Sequence, residues 1–87
     1  MDMKKIQWDP EKNELLKKTR GISFEEIAQC KLIDTIENPS RKHQTLLLYE
    51  HNDYIWVVPI VETGEGIFMK TIYPNRKYTE IYLGGGR

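Results

Sequence analysis

Cysteine is almost missing from this chain. Cys30 stands alone among 87 residues, so no disulfide can close within it, and a reducing, cytoplasmic compartment is the expectation. Net charge is missing too. The 13 Lys and Arg cancel the 13 Asp and Glu, which removes the bulk electrostatic mark of a nucleic-acid binder but leaves room for a local basic patch. No apolar run is long enough to cross a bilayer. Met1-Asp2-Met3-Lys4-Lys5 leads into no apolar stretch of the secretory type. Histidine is scarce: His43 and His51 fall near opposite ends of one predicted strand, roughly 25 Å apart at ordinary strand rise. A shared metal site is therefore not expected, and no cofactor motif is present. The chain has no phosphate-cradling glycine loop, no H-E-x-x-H and no paired C-x-x-C. It also lacks internal repeats and low-complexity segments.

What it does have is a strongly apolar run, Tyr54-Ile55-Trp56-Val57-Val58-Pro59-Ile60-Val61. β-Branched and aromatic residues dominate it, and Asn52-Asp53 and Thr63-Gly64 bound it, which predicts a strand. Both alternating faces are apolar, so the strand needs cover on both sides and belongs in the middle of a sheet. Pro59 cannot donate to a ladder. The expectation is a central strand through Val58 with a bulge or a free edge at Pro59.

The rest of the chain follows in order. Lys4 to Trp8 reads as a first strand. Asp9-Pro10 starts a helix, with Asp at the N-cap and Pro at the first helical position; Gly21 stops it. Ser23-Phe24-Glu25-Glu26 is a capping box, and Ile22 and Ile27 occupy the two positions of a hydrophobic staple. A second helix is thus expected from Phe24 to about Cys30 or Lys31. Leu32 to Glu37 is ambiguous between helix end and extended segment. Gln44 to Glu50, the apolar run, and Ile67 to Tyr73 form a meander, with turns at His51-Asn52-Asp53 and Thr63-Gly64-Glu65-Gly66. Phe68, Lys70 and Ile72 then share one face of the third strand. Pro74-Asn75 breaks it, and Arg76 to Leu83 is either a last helical turn or an extended tail. These elements predict an α+β fold: a small antiparallel sheet of about four strands with two N-terminal helices packed on it. One domain over residues 1–83 is expected, with 84–87 a flexible end.

The one suggestive chemical cluster interleaves basic and aromatic residues. Lys70, Tyr73, Arg76, Lys77, Tyr78 and Tyr82 fall in the last quarter of the chain. Lys and Arg contact phosphates, and Tyr stacks on bases or supplies a hydroxyl. Arg41, Lys42 and His43 add a second basic group in the loop after Asn38-Pro39-Ser40, where His43 suits a general base or a phosphate contact. The plainer reading is that these cations are solvated and the tyrosines are core residues with wet hydroxyls. Cys30 reads as a small buried or half-buried residue with no obvious His or acid partner.

Trp8-Asp9-Pro10-Glu11-Lys12 and the stretch Asn13…Gly21-Ile22-Ser23-Phe24-Glu25-Glu26, with Ala28 soon after, resemble the BrnT family of small toxins from bacterial type II toxin–antitoxin systems. The closing segment Arg76-Lys77-Tyr78-Thr79-Glu80-Ile81-Tyr82 is similar as well. Arg20 stands where the family usually has a histidine. The resemblance implies a RelE-like fold and a ribonuclease silenced by a tightly bound antitoxin, with no metal. It implies an RNA 2′-hydroxyl attacking the adjacent phosphate, assisted by a base, by cations and by an acid. It makes Lys70 and Arg76 the candidates for phosphate and transition-state contact. Chemistry alone adds Tyr78 and His43 as catalytic candidates and Arg41, Lys42 and Lys77 as RNA contacts. Two other readings stand beside this one: the same fold kept as a partner-binding or regulatory module without catalysis, and a bland domain whose basic residues are merely solvated.

Overall fold

The computed structural model describes residues 5–84. Lys4, placed by sequence in the first strand, and residues 85–87 of the expected flexible end lie outside the described residues. The two N-terminal helices start and stop where their caps dictate. In α1 (Pro10–Arg20) the Asp9 carboxylate accepts the Glu11 N–H at 3.0 Å, and Gly21 closes the helix at φ 69°. In α2 (Phe24–Ala28) the Ser23 hydroxyl accepts the Glu26 N–H at 3.0 Å. The staple residues Ile22 and Ile27 are both buried. α2 stops at Ala28, short of Cys30, because the last turn tightens: the N–H groups of Gln29 and Cys30 donate to the carbonyls of Glu26 and Ile27.

The sheet is larger than expected and mixed. Among the described residues it holds six strands instead of about four: β1 (Lys5–Gln7), β2 (Lys31–Glu37), β3 (Thr45–His51), β4 (Tyr54–Glu62), β5 (Gly66–Met69) and β6 (Tyr73–Pro74). The order is β1-β5-β4-β3-β2, with β6 lying on β4 beyond the end of β5. The ambiguous stretch before the loop is thus strand β2. β1 pairs with β5 in parallel, Lys5 opposite Gly66, which corrects the all-antiparallel expectation. Gly66 is required there, since a Cβ at this position would overlap the Lys5 backbone.

β4 is central, and both of its faces are covered. On one side Trp56, Val58 and Ile60 join Leu16, Ile22, Phe24 and Ile27 of the N-terminal helical segment. Trp8 stacks on Phe24, with ring centroids 5.5 Å apart. On the other side Ile55 and Val57 join Leu46 and Leu48, under Tyr78, Tyr82 and Leu83. That cover comes from a third helix, α3 (Arg76–Leu83), which the sequence left open as a helical turn or a tail. Asn75 caps it, its side chain accepting the Tyr78 N–H at 2.8 Å, and Gly84 closes it at φ 73°. Gly84 is therefore the C-cap of α3. Thr79 seats the helix on the sheet: its hydroxyl accepts the Ile55 N–H at 2.8 Å and donates to the Asn75 carbonyl at 2.7 Å.

Pro59 lies at a local free edge, as expected, but does not end the strand. β4 runs on through it to Glu62, and Pro59 pairs with Leu46 of β3. Its carbonyl accepts the Lys70 N–H at 2.8 Å, so its missing N–H points the same way, toward the gap between β5 and β6. The proline sits where a ladder bond is not needed. In that gap the chain from Lys70 to Ile72 leaves the sheet plane. Ile72 turns into the core beneath α1 and α2, fully buried. It does not share an exposed face with Phe68 and Lys70, as a continuous strand would have required. The Arg20 guanidinium pins this crossing by donating to the Ile72 carbonyl at 2.6 Å.

Candidate functional site

The functional candidates are set out along β4 by the strands and loops that abut it. Asn75 donates its N–H to the Ile55 carbonyl, and Lys70 donates its own to the Pro59 carbonyl. Ile55 and Pro59 are separated by about 13 Å at ordinary strand rise. Thr45, where the β2–β3 loop ends, pairs with Ile60. Arg76 therefore lies toward one end of the sheet, the Arg41-Lys42-His43 loop toward the other, and Lys70 between them but nearer the loop.

Arg76 opens α3 and lines a small cleft with Asp53, Tyr54, Thr79, Glu80 and Leu83. Two carboxylates, Asp53 and Glu80, share that cleft, which lies by the β3–β4 turn, whereas Lys70 joins β4 at Pro59. Lys77 is exposed on the same helix. Tyr78 is half-buried, its ring 6.3 Å from that of Tyr82, against the second core cluster. Its position is that of a packing residue with a polar tip. Tyr82 donates its hydroxyl to the Asp34 carboxylate at 2.7 Å. That bond, then the Thr35 N–H, hold the Asp34 carboxyl below the usual carboxylate range, and the same bond pushes the Tyr82 phenol up. A register shift between Leu32 and Asp34 is what turns Asp34 toward α3. Burial, then the neighbouring Tyr78, raises the Tyr73 phenol as well.

Lys70 is exposed, with its ammonium 5.7 Å from the centroid of the Phe68 ring, a cation–π contact. Phe68 is half-buried. This part of the sheet face carries an aromatic surface beside a cation.

The loop residues do converge. Arg41, Lys42 and His43 line one cleft of about 680 Å³ with Glu37, Asn38, Gln44, Thr45 and Glu62, within the size range of small-ligand sites. The loop is closed at its base. The Asn38 N–H donates to the Gln44 carbonyl at 2.9 Å, the Asn38 amide donates to the Gln44 side-chain oxygen at 2.6 Å, and the Ser40 N–H donates to Asn38 at 2.8 Å. His43 takes a left-handed backbone, φ 63°, uncommon for a residue with a Cβ. The three basic side chains are exposed, and none is tied to another described residue.

Two arrangements escaped the sequence. The carboxylates Glu37 and Glu62 reach the loop cleft from the ends of β2 and β4. Cys30 also has a histidine partner: its Sγ lies 3.5 Å from Nδ1 of His51 and 3.4 Å from the Glu26 carbonyl. His51 is bracketed in turn by Trp56, whose indole N–H donates to the His51 carbonyl at 3.2 Å. Burial, then Glu26, pushes the Cys30 thiol up, so it is a neutral, hydrogen-bonded packing group. Among the described residues, no set of three or more His, Cys, Asp and Glu side chains clusters tightly enough to hold a metal ion.

No protein-family model matches the chain, and no curated protein does. A solved structure does: the crystal structure of the Brucella abortus ribonuclease toxin BrnT. The match covers 84% of this chain and 97% of that one, with a TM-score of 0.55 and 19% sequence identity. The chain thus shares the BrnT-like fold, an α+β arrangement with a multi-stranded sheet and three helices among the described residues. No helix is long and apolar enough to cross a membrane among the described residues.

Proposed function

We propose that the chain is a cytoplasmic ribonuclease toxin of a type II toxin–antitoxin system, with a RelE-like fold, that cleaves RNA without a metal and is silenced by a bound antitoxin. The observation that carries this reading is the likeness to a ribonuclease toxin over nearly the whole length of that chain. The capped N-terminal motif and the closing Arg76-Lys77-Tyr78 segment agree with it. In this reading RNA lies across the sheet face that α3 leaves open. Phe68 offers a stacking surface, and Lys70, Arg41 and Lys42 offer charge to the phosphates. Arg76, Lys77 and Tyr78 flank the path on α3.

One observation favours a second reading, a non-catalytic partner-binding module on the same fold. Arg76 and the loop cations occupy separate clefts, and a catalytic constellation has to converge. Controlled expression in a bacterial host, scoring growth and total RNA together, separates the two. Growth arrest with RNA degradation, relieved in a folded Arg76→Ala or Lys42→Ala variant, is expected, and the variant that relieves it locates the site. Soluble, folded wild type that leaves growth and RNA intact would overturn the ribonuclease and leave the module.

A further inference from the structure

Resting on the ribonuclease reading, we infer that the acid–base centre lies in the cleft beneath the β2–β3 loop, with Glu37 as general base, His43 as general acid, and Arg41 and Lys42 as the cations for the phosphate. A cleft built only to bind the RNA backbone has no use for carboxylates, which repel a phosphodiester. This cleft sets Glu37 and Glu62 against Arg41, Lys42 and His43. Transfer of a 2′-hydroxyl proton needs just such a mixture: a carboxylate to take the proton, an imidazole to return one, and fixed cations for the charge that builds on phosphorus-bound oxygen.

Position supports the assignment. Glu37 ends β2 immediately before Asn38, and Asn38 is bonded twice to Gln44, the residue after His43. The base and the acid are thus tied across the mouth of one short loop. His43 is held in a left-handed conformation by that closure, of the kind that gathers at functional sites. The three basic side chains have no described partner to be taken from. The cleft holds its ionisable groups around a nucleotide-sized space and does not gather them about a single ion.

The step balances without a co-reactant. Glu37 takes the 2′-hydroxyl proton as the O2′–P bond forms; Arg41 and Lys42 neutralise the equatorial oxygens; the P–O5′ bond breaks and O5′ takes the proton of the His43 imidazolium. The products are a 2′,3′-cyclic phosphate and a 5′-hydroxyl. A carboxylic acid at Glu37 and a neutral imidazole at His43 remain, and exchange with water resets both.

The test uses purified full-length protein, with naked single-stranded RNA and a ribosome-containing translation extract as substrates, and reads product ends and the pH profile of kcat/KM. Wild type is expected to leave cyclic phosphate ends and to spare a fully 2′-deoxy strand. Glu37→Gln should lose roughly 10²- to 10⁴-fold and with it the acidic limb of the profile; His43→Gln should lose the basic limb. Both positions are exposed, so unchanged thermal unfolding serves as the folding control. Wild type that cleaves while both variants stay within about threefold, too little for a proton-transfer group, would overturn the site and leave the ribonuclease standing. Loss of the acidic limb in Glu62→Gln but not in Glu37→Gln would overturn the base assignment. Wild type that cleaves neither substrate would overturn both the site and the ribonuclease.

Discussion

Asn13 joins the two N-terminal helices through one buried side chain, and its removal should be costly in a way that separates its two bonds. Asn13 is 4% exposed. Its oxygen accepts the Phe24 N–H at 2.7 Å and its nitrogen donates to the Glu25 carboxylate at 2.8 Å. The Phe24 N–H is one of the first-turn donors of α2 with no partner inside the helix, and Phe24 itself is fully buried. In Asn13→Ala that donor loses its acceptor where water cannot replace it, a cost of about 1–3 kcal/mol. The Glu25 side chain is exposed, so its carboxylate recovers water and adds little. For a domain of this size, a loss of about 2 kcal/mol lowers Tm by roughly 8–16 °C. Glu25→Gln touches only the exposed bond and should stay within about 0.5 kcal/mol of wild type. Asn13→Asp keeps the acceptor at the helix N-terminus but sets a second carboxylate against Glu25. It should fall between the two, and adding Glu25→Gln should restore part of its loss. Urea unfolding of the four variants measures all of this. An Asn13→Ala variant within about 0.5 kcal/mol of wild type, or a Glu25→Gln variant that costs as much as Asn13→Ala, would refute the reasoning.

Gly66→Ala should detach β1, because the new Cβ would overlap the Lys5 backbone; amide exchange at Ile6 and Gln7 should accelerate while that of β3 and β4 does not, and unchanged exchange in β1 would refute the close approach. Tyr82→Phe should raise the Asp34 titration toward the ordinary carboxylate range, since the Tyr82 hydroxyl is the largest cause of its depression. A carboxyl depressed in the folded state contributes stability at neutral pH that is lost as pH falls through the folded value; the variant should therefore show a flatter acid limb of stability, and an Asp34 titration unchanged by NMR would count against the bond. Cys30, with its thiol pushed up by burial and Glu26, should be alkylated at neutral pH more slowly than a free thiol and at the ordinary rate after unfolding; equal rates before and after would refute the packed, protonated thiol.

Local chemistry made the first third of the fold legible. Asp9, Ser23 and Gly21 act through backbone groups within three residues of themselves, so their sequence neighbours suffice to place α1 and α2. The two apolar faces of β4 likewise announced cover on both sides. What supplied the second cover was not legible, because α3 has little of its own to say. Its eight residues form a helix through the Asn75 cap and through Thr79, whose hydroxyl needs the Ile55 N–H from a strand far away in sequence. The break after Met69 was hidden for a related reason. The alternation of Ile67 to Tyr73 fits one strand, but Ile72 is drawn into the core under α1 and α2, and the alternation cannot show that Pro59 leaves its side of β4 without a donor to hold the chain there.

The candidate site was the least legible part, and its residues show why. Arg41, Lys42 and His43 are adjacent in sequence, and that alone made them candidates. A carboxylate partner was not visible beside them, since nothing in Glu37-Asn38-Pro39-Ser40 says that the loop returns on itself. That return depends on a pair of side-chain and main-chain bonds between Asn38 and Gln44. Glu62 comes from another strand, brought over by the register that sets Thr45 opposite Ile60. A register slipped by one residue would turn the β4 side chains to the opposite face and take Glu62 out of this cleft. Lys70 and Arg76, close in sequence and grouped for that reason, are parted by the same strand, because the chain between them crosses from Pro59 to Ile55. Nearness along the chain grouped Lys70 with Arg76, whereas strand register sets Glu62 in one cleft with the loop cations.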